Sequence, residues 1–433
     1  MASDGQTWAQ VLEGDIVQAP SPVVGAEFSP DRPVRAVVQG VDSAIRFDDD
    51  LLSKHVLFLG AIGSGKTNAM YQLFSSLRDN ATEGDVFVVF DTKGDFREQF
   101  RRDGDCVVSN EREAGDGRVI WNIFEDLHAS GPERIDECFE IASTIFSKDI
   151  SRAGDNLFFA AGARDVFAAV LEIMARGGGH PSNRDLRQQL EASQEDLSQL
   201  AEGHSDVAGA RRYLTGKGNT PMSILTFLQQ AVQASFSGVF REPGDFSVRR
   251  FVHEKGGRAL FIEYDIAAGG VLLPIYRVLL DLAMKEALGR SRSPGNVFFL
   301  MDEFALLPEL THLTDGINFG RSLGVKFICG SQNVAQVQHA YGPEMASSIL
   351  SGFGTVFAFR LMDADSRDFI SQRFGRNRKQ LTVANAVRSK GVDQQLLDGN
   401  VIEDWDLSSL TVGRTIASLP DGPPFFFDFK EWS

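Results

Sequence analysis

A glycine-rich segment, GAIGSGKT at residues 60–67, matches the full phosphate-binding loop pattern G-x-x-x-x-G-K-S/T. The apolar run at residues 56–59 predicts a buried strand before it, and residues 68–74 predict the first turns of a helix after it. A loop at such a junction presents successive backbone N–H groups at the positive end of a helix, where a polyphosphate binds. The alternative is a chance glycine-rich turn.

The residue types in this loop assign a role to each position. The positions that would line the phosphates are Gly60, Gly63, Ser64 and Gly65. Lys66 would neutralise the β- and γ-phosphate oxygens, and the Thr67 hydroxyl would ligate Mg²⁺. The sequence therefore predicts ATP and Mg²⁺ as ligands, although no motif for reading the adenine base is evident.

Composition restricts the class of protein further. The chain has 433 residues and a formal net charge of −16, which argues against a protein that coats nucleic acid with a generally basic surface. A locally basic channel stays compatible with that charge. Three scattered cysteines favour a reducing, cytoplasmic location. Because no apolar run reaches the ~18 residues of a membrane span, we expect no direct span and at most peripheral association with the inner membrane through partners.

Strand and helix patterns predict an α/β protein with a mostly parallel central sheet. Apolar strands are predicted near residues 56–59, 85–90, 259–264, 296–301 and 325–329. Helical periodicity dominates residues 131–250, which predicts an all-α inserted domain. The expected parts are a lead-in at 1–50, the first part of the nucleotide-binding domain at 51–130, the insertion at 131–250 and the second part at 251–433.

Two later segments supply the remaining chemistry of a hydrolase. The apolar strand at residues 296–301 ends in Asp302 and Glu303. Beside a phosphate loop, Asp302 would hold the Mg²⁺ shell and Glu303 would orient or deprotonate the attacking water. Gln332, at the end of the next strand, is placed to sense the γ-phosphate. Alone, an apolar run ending in two acids is also typical of a strand end capped at the surface.

Arg321 lies in the segment GRSLG at residues 320–324, which closes a predicted helix. One interpretation is an arginine finger that stabilises transition-state charge in a neighbouring subunit. The other is a C-terminal helix arginine that pairs with the helix dipole. The spacing by itself leaves both open.

The segment from Phe369 to Lys390 contains six basic residues and no acid, against the overall charge of −16. The residues are Arg373, Arg376, Arg378, Lys379, Arg388 and Lys390. This segment is a candidate DNA-facing or intersubunit surface. The alternative is a basic loop that pairs with an acidic neighbour.

Six stretches, in this order, resemble the coupling-protein ATPases of conjugative type IV secretion, the TraG/TraD group of the HerA/FtsK superfamily. They are GAIGSGKT at 60–67, FDTKGDF at 90–96, WNIF at 121–124, FFLMDEFALLPEL at 298–310, GRSLG at 320–324 and SQN at 331–333. The resemblance extends from about residue 50 to 420, and such a series is more specific than any single motif. Typical members carry an N-terminal transmembrane anchor, so we expect an anchorless relative.

This resemblance implies a RecA-like P-loop NTPase with an all-α domain, assembled as a homo-oligomer of six with ATP at the subunit interfaces. It implies the roles argued above, with Arg321 acting in the neighbouring subunit's site. The same resemblance includes Asp91, Lys93 and Asp95, where Lys93 could touch a phosphate or a neighbour, or where the motif could be a structural turn.

The function implied is an ATP-dependent, ring-forming translocase that recruits or pumps single- or double-stranded DNA in conjugative secretion. A relaxase or secretion components would be its partners. Two alternatives stay open. One is a cytoplasmic HerA-like motor that works with a nuclease in DNA processing or phage defence, and the other is a nucleotide-gated adaptor that recruits protein substrates without moving DNA.

Overall fold

The computed structural model describes residues 7–19, 21–27, 29, 32–111, 115–129, 134–177, 179–204, 207–215, 218–384 and 392–432. Its strands are β1 Thr7–Glu13, β2 Val23–Gly25, β3 Ala36–Gln39, β4 Ala44–Phe47, β5 Val56–Leu59, β6 Asp85–Asp91, β7 Cys106–Val108, β8 Arg258–Glu263, β9 Asn296–Met301, β10 Val325–Ser331, β11 Thr355–Ala358, β12 Arg376–Ala384, β13 Val392–Asn400, β14 Arg414–Ser418 and β15 Phe425–Asp428.

The helices follow the same chain order. They are α1 Asp49–Ser53, α2 Lys66–Asp79, α3 Asp95–Phe100, α4 Ile123–Ala129, α5 Arg134–Arg152, α6 Leu157–Arg176, α7 Asn183–Leu190, α8 Gln194–Glu202, α9 Ala208–Leu214, α10 Asn219–Ser235, α11 Val248–Glu254, α12 Gly269–Leu288, α13 Leu313–Phe319, α14 Val334–Tyr341, α15 Pro343–Ser351, α16 Ala364–Phe374 and α17 Asp404–Ser408. Within the described ranges, no helix combines the length and apolarity needed to cross a bilayer.

The chain forms two compact units. The first contains the residues up to Ala81, Met301–Pro308 and the chain from Lys326 onward. The second contains Thr82–Leu300 and Glu309–Val325. The chain therefore crosses between the units four times, and each unit is assembled from separated stretches of sequence.

The first unit is built around buried parallel strands. Its strand order is β15-β14-β11-β5-β10, with β5 parallel to both β10 and β11, and with β14 and β15 antiparallel at one edge. Every residue of β5, β10 and β11 is buried, as expected for parallel strands that are covered on both faces. Two smaller sheets, β1-β12-β13 and β2-β4-β3, complete this unit.

The second unit combines the strand order β9-β6-β8-β7 with most of the helices. Strand β8 is parallel to β6 and to β7, so the parallel character predicted from the sequence is confirmed here too. Among the described residues between 134 and 254, all the secondary-structure elements are helices and none is a strand. Helix α6 packs against α5 and α10, and the Phe167 ring lies 5.8 Å from Phe146 and 6.2 Å from Phe236. The proposed domain boundaries stay a prediction.

One predicted helix is shorter than the sequence suggests. Apolar periodicity over residues 222–240 predicts a single helix, but α10 ends at Ser235. The next two residues leave the helical region, since Phe236 has a ψ of 63° and Ser237 has a ψ of 170°, and only a short 3₁₀ turn, Gly238–Arg241, follows. Non-helical backbone at Phe236 and Ser237 therefore ends the helix although the apolar pattern continues.

Within the first unit, β10 and the segment after β9 approach each other closely at Gly330. A Cβ atom added to Gly330 would lie 2.1 Å from the Asp302 carbonyl oxygen and 3.2 Å from the Met70 sulfur. Only glycine allows this separation, because a backbone oxygen cannot rotate away as a flexible side chain can. Gly330 therefore fixes how near Asp302 comes to β10.

We expect Gly330→Ala to lower the free energy of unfolding by on the order of 2 kcal/mol, because the extra carbon must push two backbone segments apart. Denaturant unfolding of the purified variant measures this. Gly270→Ala is the matched control, since an added Cβ there meets no heavy atom within 4 Å. Equal stability of the two variants would contradict the packing argument.

Candidate functional site

The glycine-rich loop joins β5 to α2, as the sequence predicts. Gly63 and Gly65 have φ values of 72° and 104°, in the left-handed region that favours glycine. Neighbouring strands hold the loop in place. The Gly60 N–H donates to the Ser331 carbonyl oxygen at 3.2 Å, and the Ala61 N–H donates to the Arg360 carbonyl oxygen at 2.9 Å. The loop is therefore anchored from the ends of both β10 and β11.

Lys66 and Ser64 give the loop the character of an anion site. Lys66 is buried, and its Nζ donates to the carbonyl oxygens of Gly60 at 2.5 Å and Ala61 at 3.3 Å. The Ser64 hydroxyl is also buried and has no hydrogen-bond partner. A buried hydroxyl without a partner is costly, so a ligand that accepts hydrogen bonds fits this position. Phosphate oxygens are such acceptors.

Glu303 faces this loop from the end of β9. Its side chain is 8% exposed, and its Oε1 atom has no hydrogen-bond partner. Burial raises the pKa of the Glu303 carboxyl to about 7, and the neighbouring charge of Asp302 acts in the same direction. The Lys66 charge and hydrogen bonds with Ser331 and Gln332 oppose that rise in pKa. Lys66, Asp302, Glu303 and Gln332 thus lie together in the first unit.

This arrangement suits a group that exchanges a proton near neutral pH. A carboxylate with a pKa near the working pH can accept a proton from a water molecule and return it. The unpaired Oε1 provides an acceptor that no protein donor occupies. Thr67, in the first turn of α2, has a half-buried side chain, and Asp302 is half-buried at the end of β9. A hydroxyl and a carboxylate are oxygen ligands of the kind that Mg²⁺ takes.

Arg321 lies in the second unit and is exposed. It follows α13 in a short 3₁₀ helix, Gly320–Leu323, which ends at Gly324 with a φ of 80°. Phe319, two residues before Arg321, is 66% exposed. An exposed arginine on a tight, glycine-bounded turn suits contact with another molecule. Its predicted role as an arginine finger stays a prediction.

Asp91, Lys93 and Asp95 lie at the end of β6 and the start of α3. The Asp91 carboxylate accepts hydrogen bonds from the backbone N–H groups of Lys93, Gly94 and Arg97, at 3.2, 2.9 and 2.9 Å. Burial raises the Asp91 pKa, while these backbone bonds lower it. Asp91 therefore holds the turn into α3. Lys93 is exposed and lines a cleft of about 290 Å³ together with Glu263.

The four predicted nucleic-acid contacts occupy different environments. Arg373 donates to the carbonyl oxygens of Phe353 and Gly354 at 2.7 and 3.0 Å, and burial lowers its pKa. Lys379 bonds Glu403 at 2.7 Å. Arg378 pairs with Glu13 and Asp398. Arg376 is exposed at the start of β12. Part of the predicted basic loop is therefore a strand, while Arg388 and Lys390 lie outside the described residues.

Sequence reasoning missed three residues beside the loop. Ser331 hydrogen-bonds Glu303, and Arg360 follows β11, where its carbonyl holds Ala61. Gly413 donates its N–H to the Ser64 carbonyl at 3.0 Å, and a Cβ on Gly65 would lie 3.0 Å from that nitrogen. Ser331 was within a matched motif, but no role was assigned to it. Gly413 and Arg360 carry no motif and become neighbours only through strand order.

A phosphate-binding loop between a parallel strand and a helix, with two acids ending another strand, defines the P-loop NTPase class. Residues 43–395 match the family model described as the type IV secretion-system coupling protein DNA-binding domain. The chain belongs to this family. Its sequence resemblance to coupling proteins is thereby confirmed.

Among relatives, the chain is 23% identical over 396 residues to the coupling protein TraD of Escherichia coli (strain K12), covering 88% of this chain and 52% of the relative. The chain thus spans about half the length of that curated relative. Two solved structures have a similar fold, each at 19% identity and covering 100% of this chain and 96% of theirs. These are the bacterial conjugative coupling protein TrwBdeltaN70, trigonal form with sulphate, with a TM-score of 0.77, and TrwB with the ATP analogue ADPNP, with a TM-score of 0.75. The predicted RecA-like P-loop fold is confirmed.

We expect Glu303→Gln to become more stable than the natural chain as the pH rises. Because the Glu303 pKa is raised in the folded protein, the folded state binds this proton more tightly than the unfolded chain does. The resulting stabilisation is complete below pH 4.5, the ordinary pKa of the group, and is lost as the pH rises through about 7. Between about pH 5 and about pH 8 the difference in free energy of unfolding should shift by about 2.5 kcal/mol in favour of the glutamine variant.

Denaturant unfolding of the nucleotide-free protein at several pH values measures this shift. Glu27→Gln is the control, since it makes the same substitution at an exposed position of the same unit. Glu303→Gln curves that run parallel to those of the natural chain would contradict the raised pKa of Glu303.

Proposed function

We propose that this chain is an ATP-hydrolysing coupling ATPase that recruits or moves DNA in type IV secretion. The observation that carries the proposal is the cluster in which a buried Lys66 faces a buried Glu303 with an unpaired carboxylate oxygen. That cluster has the groups needed to hold a triphosphate and to activate water beside it.

In this proposal, the residues of the first unit share the work of hydrolysis. Backbone N–H groups between Gly60 and Thr67, with the Ser64 hydroxyl, bind the phosphates, and Lys66 turns from the carbonyls of Gly60 and Ala61 towards them. Thr67 and Asp302 would hold Mg²⁺, which would neutralise phosphate charge. Glu303 accepts the proton of the attacking water, and Gln332, which hydrogen-bonds Glu303, senses the γ-phosphate.

Assembly into a ring is part of the same proposal. Arg321 is exposed in the second unit, on a turn fixed by Gly324. We place it in the phosphate site of a neighbouring copy, where a guanidinium would stabilise the charge of the transition state. The homo-oligomer, with six copies, would act at the cytoplasmic side of the secretion machinery with a relaxase or secretion components as partners.

The matching family model is described as a DNA-binding domain, which supports DNA as the polymer that is moved. With a net charge of −16, any DNA contact has to come from a small basic surface. Arg376 and Arg378 are both exposed on β12, but Arg378 pairs with Glu13 and Asp398, and Arg373 and Lys379 also bond groups of the protein itself. We therefore favour Arg376 among the described candidates.

We expect Glu303→Gln to retain ATP affinity and to lose at least about 100-fold in turnover, because the amide cannot accept the proton of water. The measurement is phosphate release with and without single- and double-stranded DNA, beside equilibrium ATP binding. Glu344→Gln, at an exposed position, is the control. Undiminished turnover by Glu303→Gln would remove the proposed base.

The DNA arms of that assay separate the proposed motor from an adaptor that binds protein substrates. Stimulation of turnover by DNA supports a motor. Turnover that no form of DNA changes would favour the adaptor.

Arg321 and Lys66 allow a test of shared sites. We expect Arg321→Ala and Lys66→Ala proteins to be inactive separately and to regain part of the turnover when mixed, because a mixed ring contains interfaces with an intact Lys66 and an intact Arg321. Phosphate release is measured as a function of mixing ratio, with mass measurement to establish that mixed rings form. Mixed rings without any recovery would count against an arginine acting between copies.

A further inference from the structure

The last described segment of the chain lies along α2, the helix that begins in the phosphate loop. The side-chain amide groups of Gln72 and Asn68 both donate to the Lys430 carbonyl oxygen, at 2.6 and 2.8 Å. The Trp432 N–H donates to the Asn68 Oδ1 atom at 2.6 Å. Because Asn68 precedes Gln72 on the helix, the segment advances towards the helix N-terminus. Trp432 therefore lies beside the first turn of α2.

Asn68 is the residue directly after Thr67. A polyphosphate that occupies the loop lies at the N-terminus of α2, so a nucleoside attached to it lies within reach of the first turns of this helix. Asn68 and Tyr71, three residues apart, share one face of the helix. The Tyr71 and Trp432 rings meet edge to face, with centroids 6.4 Å apart and an interplanar angle of 74°. Both side chains are half-buried, so each keeps an accessible surface.

A second part of the chain reaches the same flank of the loop. The Gly413 N–H donates to the Ser64 carbonyl, and the Gly413 carbonyl accepts the Phe429 N–H at 2.9 Å. Val412, beside Gly413, is 68% exposed. Tyr71 and Trp432 thus meet beside the first turns of α2, and Val412 adds exposed apolar surface next to the residue that bonds Ser64. Such surface suits a flat, aromatic ligand group.

We propose that Trp432, positioned by Asn68 and supported by Tyr71, is the platform on which the base of the bound nucleotide stacks. This proposal rests on the proposed binding of a nucleotide at the loop and extends it from the phosphates to the base. Stacking on an aromatic side chain makes a contribution to affinity that is equivalent to on the order of 10- to 100-fold.

The same contacts indicate how selective the platform is. Asn68 uses its amide nitrogen for Lys430 and its amide oxygen for Trp432, and the Lys430 carbonyl already accepts two hydrogen bonds. These polar groups hold the segment in place, so the platform that the proposal rests on is the aromatic face of Trp432. Stacking is tolerant because every base has an aromatic face. ATP and GTP should therefore bind with affinities within about threefold of each other.

The test compares three variants of the whole chain by calorimetric titration with a non-hydrolysable ATP analogue and with inorganic tripolyphosphate, both with Mg²⁺. Trp432→Ala should weaken binding of the analogue on the order of 10-fold or more and leave tripolyphosphate binding unchanged. Trp432→Phe, which keeps an aromatic face, should stay within about threefold of the natural chain. Trp405→Ala is the control, since Trp405 is 66% exposed in the same unit, on α17.

Unchanged affinity of Trp432→Ala for the analogue, with normal binding by the natural chain, would overturn the platform alone. Equal weakening for the analogue and for tripolyphosphate would also overturn it, because the substitution would then have disturbed the phosphate loop through Asn68. Failure of the natural chain to bind either ligand would overturn the proposed function and the platform together.

Discussion

The attraction between Lys66 and Glu303 is the interaction on which the site of the first unit depends. Both side chains are at least nine-tenths buried, so each charge has lost most of its water. The Lys66 charge limits the rise in the Glu303 pKa, which still reaches about 7. Two buried ionisable side chains of this kind are stable in the fold only if the surrounding backbone segments hold them close together. Glycine at positions 60, 65 and 330 allows that approach, because a Cβ at any of them would meet a neighbouring atom at 3.0 Å or less.

This close packing also leaves groups whose hydrogen bonding is incomplete. The Ser64 hydroxyl and Glu303 Oε1 are buried without partners, and the Lys66 ammonium bonds the carbonyls of its own loop. Unsatisfied groups of this kind cost stability unless a ligand completes them. In the proposed mechanism, phosphates accept hydrogen bonds from Ser64 and Lys66, while a water molecule donates to Glu303. The buried Ser64 hydroxyl and Glu303 Oε1 are thus a source of ligand affinity.

Much of the fold and of the site could be predicted from local sequence patterns. Features that depend on pairing between distant parts of the chain could not. The loop, β5, β9 and the acids Asp302 and Glu303 follow from continuous apolar runs with a motif at their ends. Strand β12 was missed because its residues are mostly polar or charged. It is defined by partners on both sides, including β1 some 370 positions earlier. Gly413 and Trp432 were missed for a similar reason, since only the fold brings them to Ser64 and Asn68.

The hydrogen bonds that anchor the C-terminal segment explain why the proposed platform would stack a base without reading its edge. In the proposed motor, the free energy for movement is released at the phosphates, so reading the base edge would add little to the work done. The polar groups around the segment hold it in place instead. The side-chain amides of Gln72 and Asn68 donate to the Lys430 carbonyl, and the Lys430 backbone N–H donates to the Gln39 carbonyl. Trp432 then needs no further polar partner from the nucleotide. A rigidly held aromatic face loses little entropy when a base stacks on it, which favours binding without demanding one particular base.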